Sequence, residues 1–205
     1  MKLFITGIGT DVGKTIASAI ITQALKADYW KPIQAGDIDH SDSHKIQHYI
    51  SNSKTTIHPN SYQLHTPASP HWAAELDGVV IGLDQIIEPK TKNHLVIEGA
   101  GGVLVPLNST DCVIDIIQSD YKVIVVSRHY LGSINHTLLT IEALQNRNIK
   151  IAGILFSGVE NKATESIILQ KSKLNCIGRI DEVPYFDQNV IQYYADIFRE
   201  NLLNL

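Results

Sequence analysis

The sequence predicts an α/β fold, one mostly parallel sheet covered by helices on both faces. Three observations carry this. Short apolar runs that suit strands alternate with longer stretches of helical period. One of those runs, Val123-Ile124-Val125-Val126, is apolar at every position, as a strand buried on both faces requires. A glycine-bearing loop, Gly7 to Gly13, joins the first run directly to the first helical stretch. Repeated strand–helix alternation then implies parallel pairing through right-handed crossovers.

Taken in order, residues 3–6 read as a buried strand, and residues 14–27 as a helix with Ile16, Ile20, Ile21, Ala24 and Leu25 on one face. Residues 29–33 read as a second short strand, stopped by Pro32 and Gly36. Further strands are expected at 95–98, 122–127, 150–156 and 176–180, and helices at about 111–119, 133–147, 161–173 and 187–201. Residues 52–90, interrupted by Pro59, Pro67, Pro70 and Pro89, are the least regular part and are expected as loops and short helices on one edge. No repeat, low-complexity tract or linker divides the chain. Its 205 residues suffice for a continuous core, so residues 1–205 are expected to form a single domain.

Composition narrows the function classes. With 44% apolar and 19% charged residues the chain reads as soluble and globular. A net charge of -4 without a basic stripe argues against nucleic-acid wrapping. No apolar run approaches the roughly 20 residues that span a bilayer, and the apolar start after Met1-Lys2 is too short for a signal segment. A cytoplasmic protein with no membrane or nucleic-acid partner is expected. Cys112 and Cys176 imply no disulfide framework and read as reduced core thiols. Without secretion, the triplets Asn108-Ser109-Thr110 and Asn135-His136-Thr137 are chance glycosylation matches.

The loop Thr6-Gly7-Ile8-Gly9-Thr10-Asp11-Val12-Gly13-Lys14-Thr15 carries the strongest chemical signal. A strand that passes through glycines into a helix points loop and helix-end N–H groups at one spot, where the helix dipole favours an anion. Lys14 would neutralise β- and γ-phosphate charge and the Thr15 hydroxyl would bind Mg²⁺. The spacing departs from G-x-x-x-x-G-K-T by one residue, because Ile8 stands where the first glycine belongs and Gly7 lies one residue earlier. A single-domain P-loop NTPase-like fold binding a nucleoside triphosphate with Mg²⁺ is the expectation.

Other candidates are less decided by local sequence. Glu98 ends a strand before Gly99-Ala100-Gly101-Gly102, where ligands collect in open α/β sheets, so it is a metal-ligand candidate or a lone strand-end carboxylate. Asp42 is either a second metal ligand or part of an ordinary helix N-cap. Lys31, after the second strand, could reach a γ-phosphate; local sequence alone favours a surface lysine. His40, His44 and His48 recur at helical spacing and read as a solvated helix face, or as a zinc pair without cysteine support.

Four motifs in order, the loop at 6–15, Lys31-Pro32-Ile33-Gln34-Ala35-Gly36, Glu98-Gly99-Ala100-Gly101-Gly102 and Leu131-Gly132-Ser133-Ile134-Asn135-His136, closely resemble the dethiobiotin synthetases, over residues 2 to about 186. The family's phosphate loop carries the extra residue noted above. The resemblance implies a homodimeric ligase that converts 7,8-diaminononanoate, CO₂ and ATP with Mg²⁺ into dethiobiotin, ADP and phosphate, through a carbamate and a carbamic–phosphoric anhydride. It implies that Asp11, Val12, Gly13, Lys14, Thr15 and Ile16 surround the triphosphate, and that Thr15, Asp42 and Glu98 hold the metal. It also implies that Glu98, Gly99, Ala100 and Gly101 line the nucleotide, with Ser157, Pro184, Tyr185 and Phe186 near the base. Lys31 and Lys14 become catalytic candidates. Lys31, Ala35 and Gly132, Ser133, Ile134 and Asn135 become substrate-binding ones, the last four serving the neighbouring subunit across the dimer interface.

Two departures bear on specificity. Ala35 stands where relatives often carry a Ser or Thr that touches substrate, and Ser157-Gly158 stands where relatives carry an Asn-Asp pair that reads adenine. A weakened preference for ATP over other triphosphates follows. Three rival readings make different demands. A partition or septum-positioning ATPase would carry a second lysine where Gly9 stands. An amide-forming corrin ligase would need a glutamine-hydrolysing domain. A mere nucleotide-binding scaffold would leave Lys31 and Glu98 dispensable.

Overall fold

The computed structural model describes residues 1–205. The strands are β1 (Lys2–Gly7), β2 (Asp28–Trp30), β3 (Ile33–Ala35), β4 (Ile57–His58), β5 (Tyr62–Leu64), β6 (Leu95–Gly102), β7 (Lys122–Arg128), β8 (Ile151–Ser157) and β9 (Cys176–Ile180). The helices are α1 (Lys14–Leu25), α2 (Asp42–Tyr49), α3 (Pro70–Leu76), α4 (Ser133–Gln145), α5 (Lys162–Ser172) and α6 (Gln188–Leu203). Seven strands form one sheet in the order β4-β2-β6-β1-β7-β8-β9, and every pairing in it is parallel.

Alternation along a strand shows why both faces need cover. Ile154 and Phe156 of β8 pack with Ile141 of α4 and Ile168 of α5. Leu155 between them joins the larger core, which also holds residues of α1 and α6. Successive side chains of a strand point to opposite faces, so α4 and α5 cover one and α1 and α6 the other. No helix is long and apolar enough to cross a membrane.

Four expectations need correction. The strand expected at 29–33 splits in two: Pro32 has no N–H to continue the ladder, so β2 ends at Trp30, and β3 pairs with β5 in a separate two-stranded sheet. The turn between them sets Lys31 above the carboxyl edge of the main sheet. Residues 52–90 contain β4 and β5 as well as α3 and a 3₁₀ turn, Leu83–Gln85. The helix expected at 111–119 is a single 3₁₀ turn, Val113–Ile116, because the Val113 and Ile114 amides bond to the Val105 and Val103 carbonyls and tie the segment to the preceding chain. Helix α1 is buried almost all round, between the sheet and α6, so its apolar set is not confined to one face.

The histidines and cysteines also depart from expectation. His40 closes a separate 3₁₀ turn, Ile38–His40, and Ser41 breaks the chain before α2, so only His44 and His48 share a helix. The Ser41 hydroxyl accepts the His44 amide (3.4 Å) and the Ser41 amide donates to His44 Nδ1 (3.3 Å), a reciprocal cap that occupies the imidazole. Neither cysteine is a core thiol: Cys112 is half-buried and Cys176 exposed, at the start of an edge strand.

Candidate functional site

A cleft of about 1110 Å³ runs along the carboxyl ends of the central strands, where open parallel sheets gather ligands. Its volume suits a nucleotide with a small co-substrate. The phosphate loop forms one end. Gly13 takes φ 95, a left-handed conformation that favours glycine, and no side chain caps α1, so the first helical amides stay free for an anion. At Gly7 a Cβ would stand 2.4 Å from Val12 Cγ2, so the absence of a side chain lets Val12 tuck beneath the loop. Lys14 Nζ donates to the Gly9 carbonyl (2.8 Å). Burial pulls the Lys14 ammonium down to about 8, with Glu98 pulling the other way.

Beside the loop, four side chains converge from separate elements. Lys31 Nζ lies 2.6 Å from Asp42 Oδ2 and 3.1 Å from Glu98 Oε1. Thr15 Oγ1 donates to the same Glu98 oxygen (3.0 Å), and Tyr29 Oη donates to Glu98 Oε2 (2.9 Å). Burial alone would lower Lys31 and raise Asp42, but for Lys31 the charge of Glu98, followed by that of Asp42, outweighs it, and for Asp42 the charge of Lys31 does so. Lys31 therefore stays above the ordinary lysine value and Asp42 below the ordinary carboxylate value. Burial, then the charges of Glu98 and Asp42, push the Tyr29 phenol well above its usual range, so it is an O–H donor.

Burial and contacts bear on two of these candidates. Lys31 is 5% exposed, so it is not the surface lysine that local sequence favours. The N-cap of α2 is Ser41, and the Asp42 carboxylate turns to Lys31. The Asp42 and Glu98 carboxylates meet around the Lys31 ammonium, and the Thr15 hydroxyl joins them through its bond to Glu98. An all-oxygen set with two carboxylates fits Mg²⁺, a hard cation that keeps waters and takes few protein ligands.

Of the remaining candidates, Asp11, Gly13, Ile16, Ala35, Ala100, Gly101, Ser157 and Phe186 line the same cleft. Val12 lies beneath the loop, and Gly99 backs onto the Phe4 ring, which a Cβ would meet at 3.1 Å. Pro184 and the exposed Tyr185 stand outside the lining, and Asp181, Glu182 and Val183 take that stretch instead. Gly132 to Asn135, at the start of α4, are apart from this chain's cleft. Sequence reading missed Tyr29, Lys45 and Arg128. Lys45 lies one helical turn after Asp42 and 3.4 Å from its Oδ1, a spacing that could have flagged it. Arg128, at the end of β7, donates to the Asp11 carbonyl (3.2 Å) and pairs with Glu182 (3.0 Å) across the far end of the cleft.

A family model described as an AAA domain matches residues 1–190. The chain is 54% identical over 202 residues to the ATP-dependent dethiobiotin synthetase of Christiangramia forsetii, covering 98% of each. It is 50% identical over 196 residues to that of Cytophaga hutchinsonii, covering 95% of each. Over 200 residues it is 44% identical to that of Chlamydia pneumoniae, covering 97% of this chain and 90% of that one. Among solved structures, the MinC:MinD cell division protein complex of Aquifex aeolicus superposes with a TM-score of 0.62 at 14% identity, covering 100% of this chain and 96% of that one. The septum site-determining protein MinD of Pyrococcus horikoshii, complexed with Mg-ADP, gives 0.60 at 13%, with the same coverage. Likeness at that identity extends to the fold alone, and the rival reading as a partition or septum ATPase gains nothing from it. Identity over nearly the whole chain, together with the phosphate loop, Lys31 and Glu98 on one cleft, makes this chain a member of the ATP-dependent dethiobiotin synthetase family.

Proposed function

We propose that this chain closes a ureido ring on 7,8-diaminononanoate, consuming CO₂ and ATP and releasing dethiobiotin, ADP and phosphate. The observation that carries the reading is Lys31: a buried ammonium between two carboxylates at the mouth of a phosphate loop. One substrate amine forms an N–C bond to CO₂ and loses a proton, giving a carbamate. A carbamate oxygen attacks the γ-phosphorus and ADP leaves with the bridging electron pair. The second amine then attacks the carbonyl of the mixed anhydride, and phosphate leaves as the ring closes.

Carbamate and triphosphate are both anionic, so the main barrier is their mutual repulsion. Lys14 and Lys31, both buried side chains lining the cleft, supply fixed positive charge where negative charge develops. Thr15, Asp42 and Glu98 would hold Mg²⁺, which when bound neutralises phosphate charge. Asp11 to Ile16 would wrap the triphosphate, Glu98 to Gly101 would flank the nucleotide, and Ser157 with Pro184, Tyr185 and Phe186 would neighbour the base. Holding both amines and the carbonyl in one pocket makes closure effectively unimolecular.

The diamine's carboxylate would bind at Gly132, Ser133, Ile134 and Asn135 of a second copy in a homodimer, with Ala35 beside the substrate. The exposed Tyr130, Leu131, Ile134 and Leu139 around that helix start support an interface there. The proposed compartment is the cytoplasm. Phosphate release with Mg·ATP and bicarbonate, with and without the diamine, tests the reading. Release is expected only with the diamine; equal release without it overturns the ligase assignment.

A further inference from the structure

We infer that Tyr29 is a positioning residue for Glu98, presenting one chosen carboxylate oxygen to the metal site; the inference rests on the metal role proposed for Glu98. The two oxygens of Glu98 are not equivalent. Oε1 faces the cleft and receives Thr15 and Lys31, whereas Oε2 receives only the Tyr29 hydroxyl, at 2.9 Å. Tyr29 is fully buried, so its hydroxyl cannot reach substrate and acts only through Glu98.

The register of the sheet explains the residue type. β2 pairs Tyr29 with Val96, and Glu98 lies two residues further along β6 on the same face; roughly 6.6 Å along the strand and about 4.8 Å across it put Glu98 about 8 Å from Tyr29 on the diagonal. A phenol spans that reach and ends in a donor. Phenylalanine spans it without one, and shorter polar residues fall short. With Oε2 fixed, the carboxyl group cannot rotate, and Oε1 stays beside Thr15 Oγ1, the second oxygen of the proposed metal set. Without the phenol, Oε2 would be a buried acceptor with no partner, free to turn toward Lys31 and spoil that alignment. Partners that orient a ligating carboxylate are typically worth about tenfold to hundredfold in metal affinity.

The test is the ADP affinity of the purified chain, measured by calorimetry with saturating Mg²⁺ and again in EDTA; the ratio of the two is the metal coupling. Tyr29→Phe is expected to lower that coupling about tenfold or more while the affinity in EDTA stays at the wild-type value. Glu98→Gln is the reference, expected to remove the coupling. Wild-type coupling in Tyr29→Phe beside lost coupling in Glu98→Gln overturns the positioning role alone. Coupling that survives both substitutions overturns the metal role of Glu98 and the inference with it. Affinities in Mg²⁺ and in EDTA that fall together make Tyr29 a structural residue and also overturn it.

Discussion

The two ends of the cleft hold ion pairs of similar length in opposite surroundings. At the phosphate end, Lys31 and Asp42 lie 2.6 Å apart with side chains 7% and 17% exposed. At the opposite end, the proposed base end, Arg128 and Glu182 lie 3.0 Å apart with side chains 45% and 55% exposed. Water screens the second pair, which is worth about 0–1 kcal/mol, like most surface bridges. The first pair costs several kcal/mol per ion to desolvate, and losing one partner of such a pair typically costs about 3–5 kcal/mol. A fold seldom keeps so costly a cluster for stability alone, since apolar residues of the same volume would often serve as well. On the proposed function, the buried end is where fixed charge would act on reacting groups, and the exposed end would hold the base loosely.

Four outcomes would break or sharpen that contrast. Lys31→Ala should lower turnover by about a thousandfold or more, the scale of a lost fixed donor at developing charge, while nucleotide binding persists. It should also lower unfolding stability by roughly 3–5 kcal/mol in urea, because Asp42 and Glu98 are left facing each other. Near-native turnover in this variant would remove Lys31 from the chemistry.

A buried carboxylate away from the cleft supplies the next comparison. Asp28, at the start of β2, accepts from Thr91 (2.6 Å), the Thr56 amide (2.9 Å) and Asn93 (3.2 Å). Burial would raise it, but these hydrogen bonds outweigh burial and hold it below its ordinary value of 3.8. A carboxylate depressed on folding contributes stability that is complete above the unfolded value and is lost as pH falls through the lower folded value. Stability should therefore drop below about pH 4, and Asp28→Asn should flatten that drop in acid denaturation curves while turnover stays native. Lost turnover in a folded Asp28→Asn protein would erase the distinction between structural and reacting carboxylates.

At the base end, ATP, CTP and GTP should support turnover within about tenfold of one another, since Ser157 cannot form the paired amide contact. Selectivity of roughly a thousandfold for ATP, about 4 kcal/mol, would contradict this. The smallest effect is expected for Arg128→Ala, whose stability should change by no more than about 1 kcal/mol. A loss near that of Lys31→Ala would make the two ends energetically alike.

What local sequence conveys follows the same divide. The parallel sheet was legible because Val123 to Val126 and Leu95 to Ile97 are apolar at every position, a pattern that burial on both faces imposes. The phosphate loop was legible because its chemistry is contiguous. The environment of Lys31 was not, since its partners come from positions 11 and 67 residues away, and only the sheet brings them together. Tyr29 reads as an ordinary strand aromatic until the β2–β6 register sets it against Glu98. In residues 111–119 apolar spacing resembles a helix, yet backbone bonds to Val103 and Val105 hold it to one turn. Those bonds are tertiary and leave no local trace.

The central claim is that ATP is spent to build a ureido carbonyl at the Lys31 end of the cleft. Incubating the chain with Mg·ATP, the diamine and isotopically labelled bicarbonate measures it directly. The account predicts acid-stable label in the ring in amounts equal to the phosphate released, with both products formed at least about a thousandfold more slowly by Lys31→Ala. Phosphate released without ring label, or ring label formed at native rate by Lys31→Ala, would contradict it.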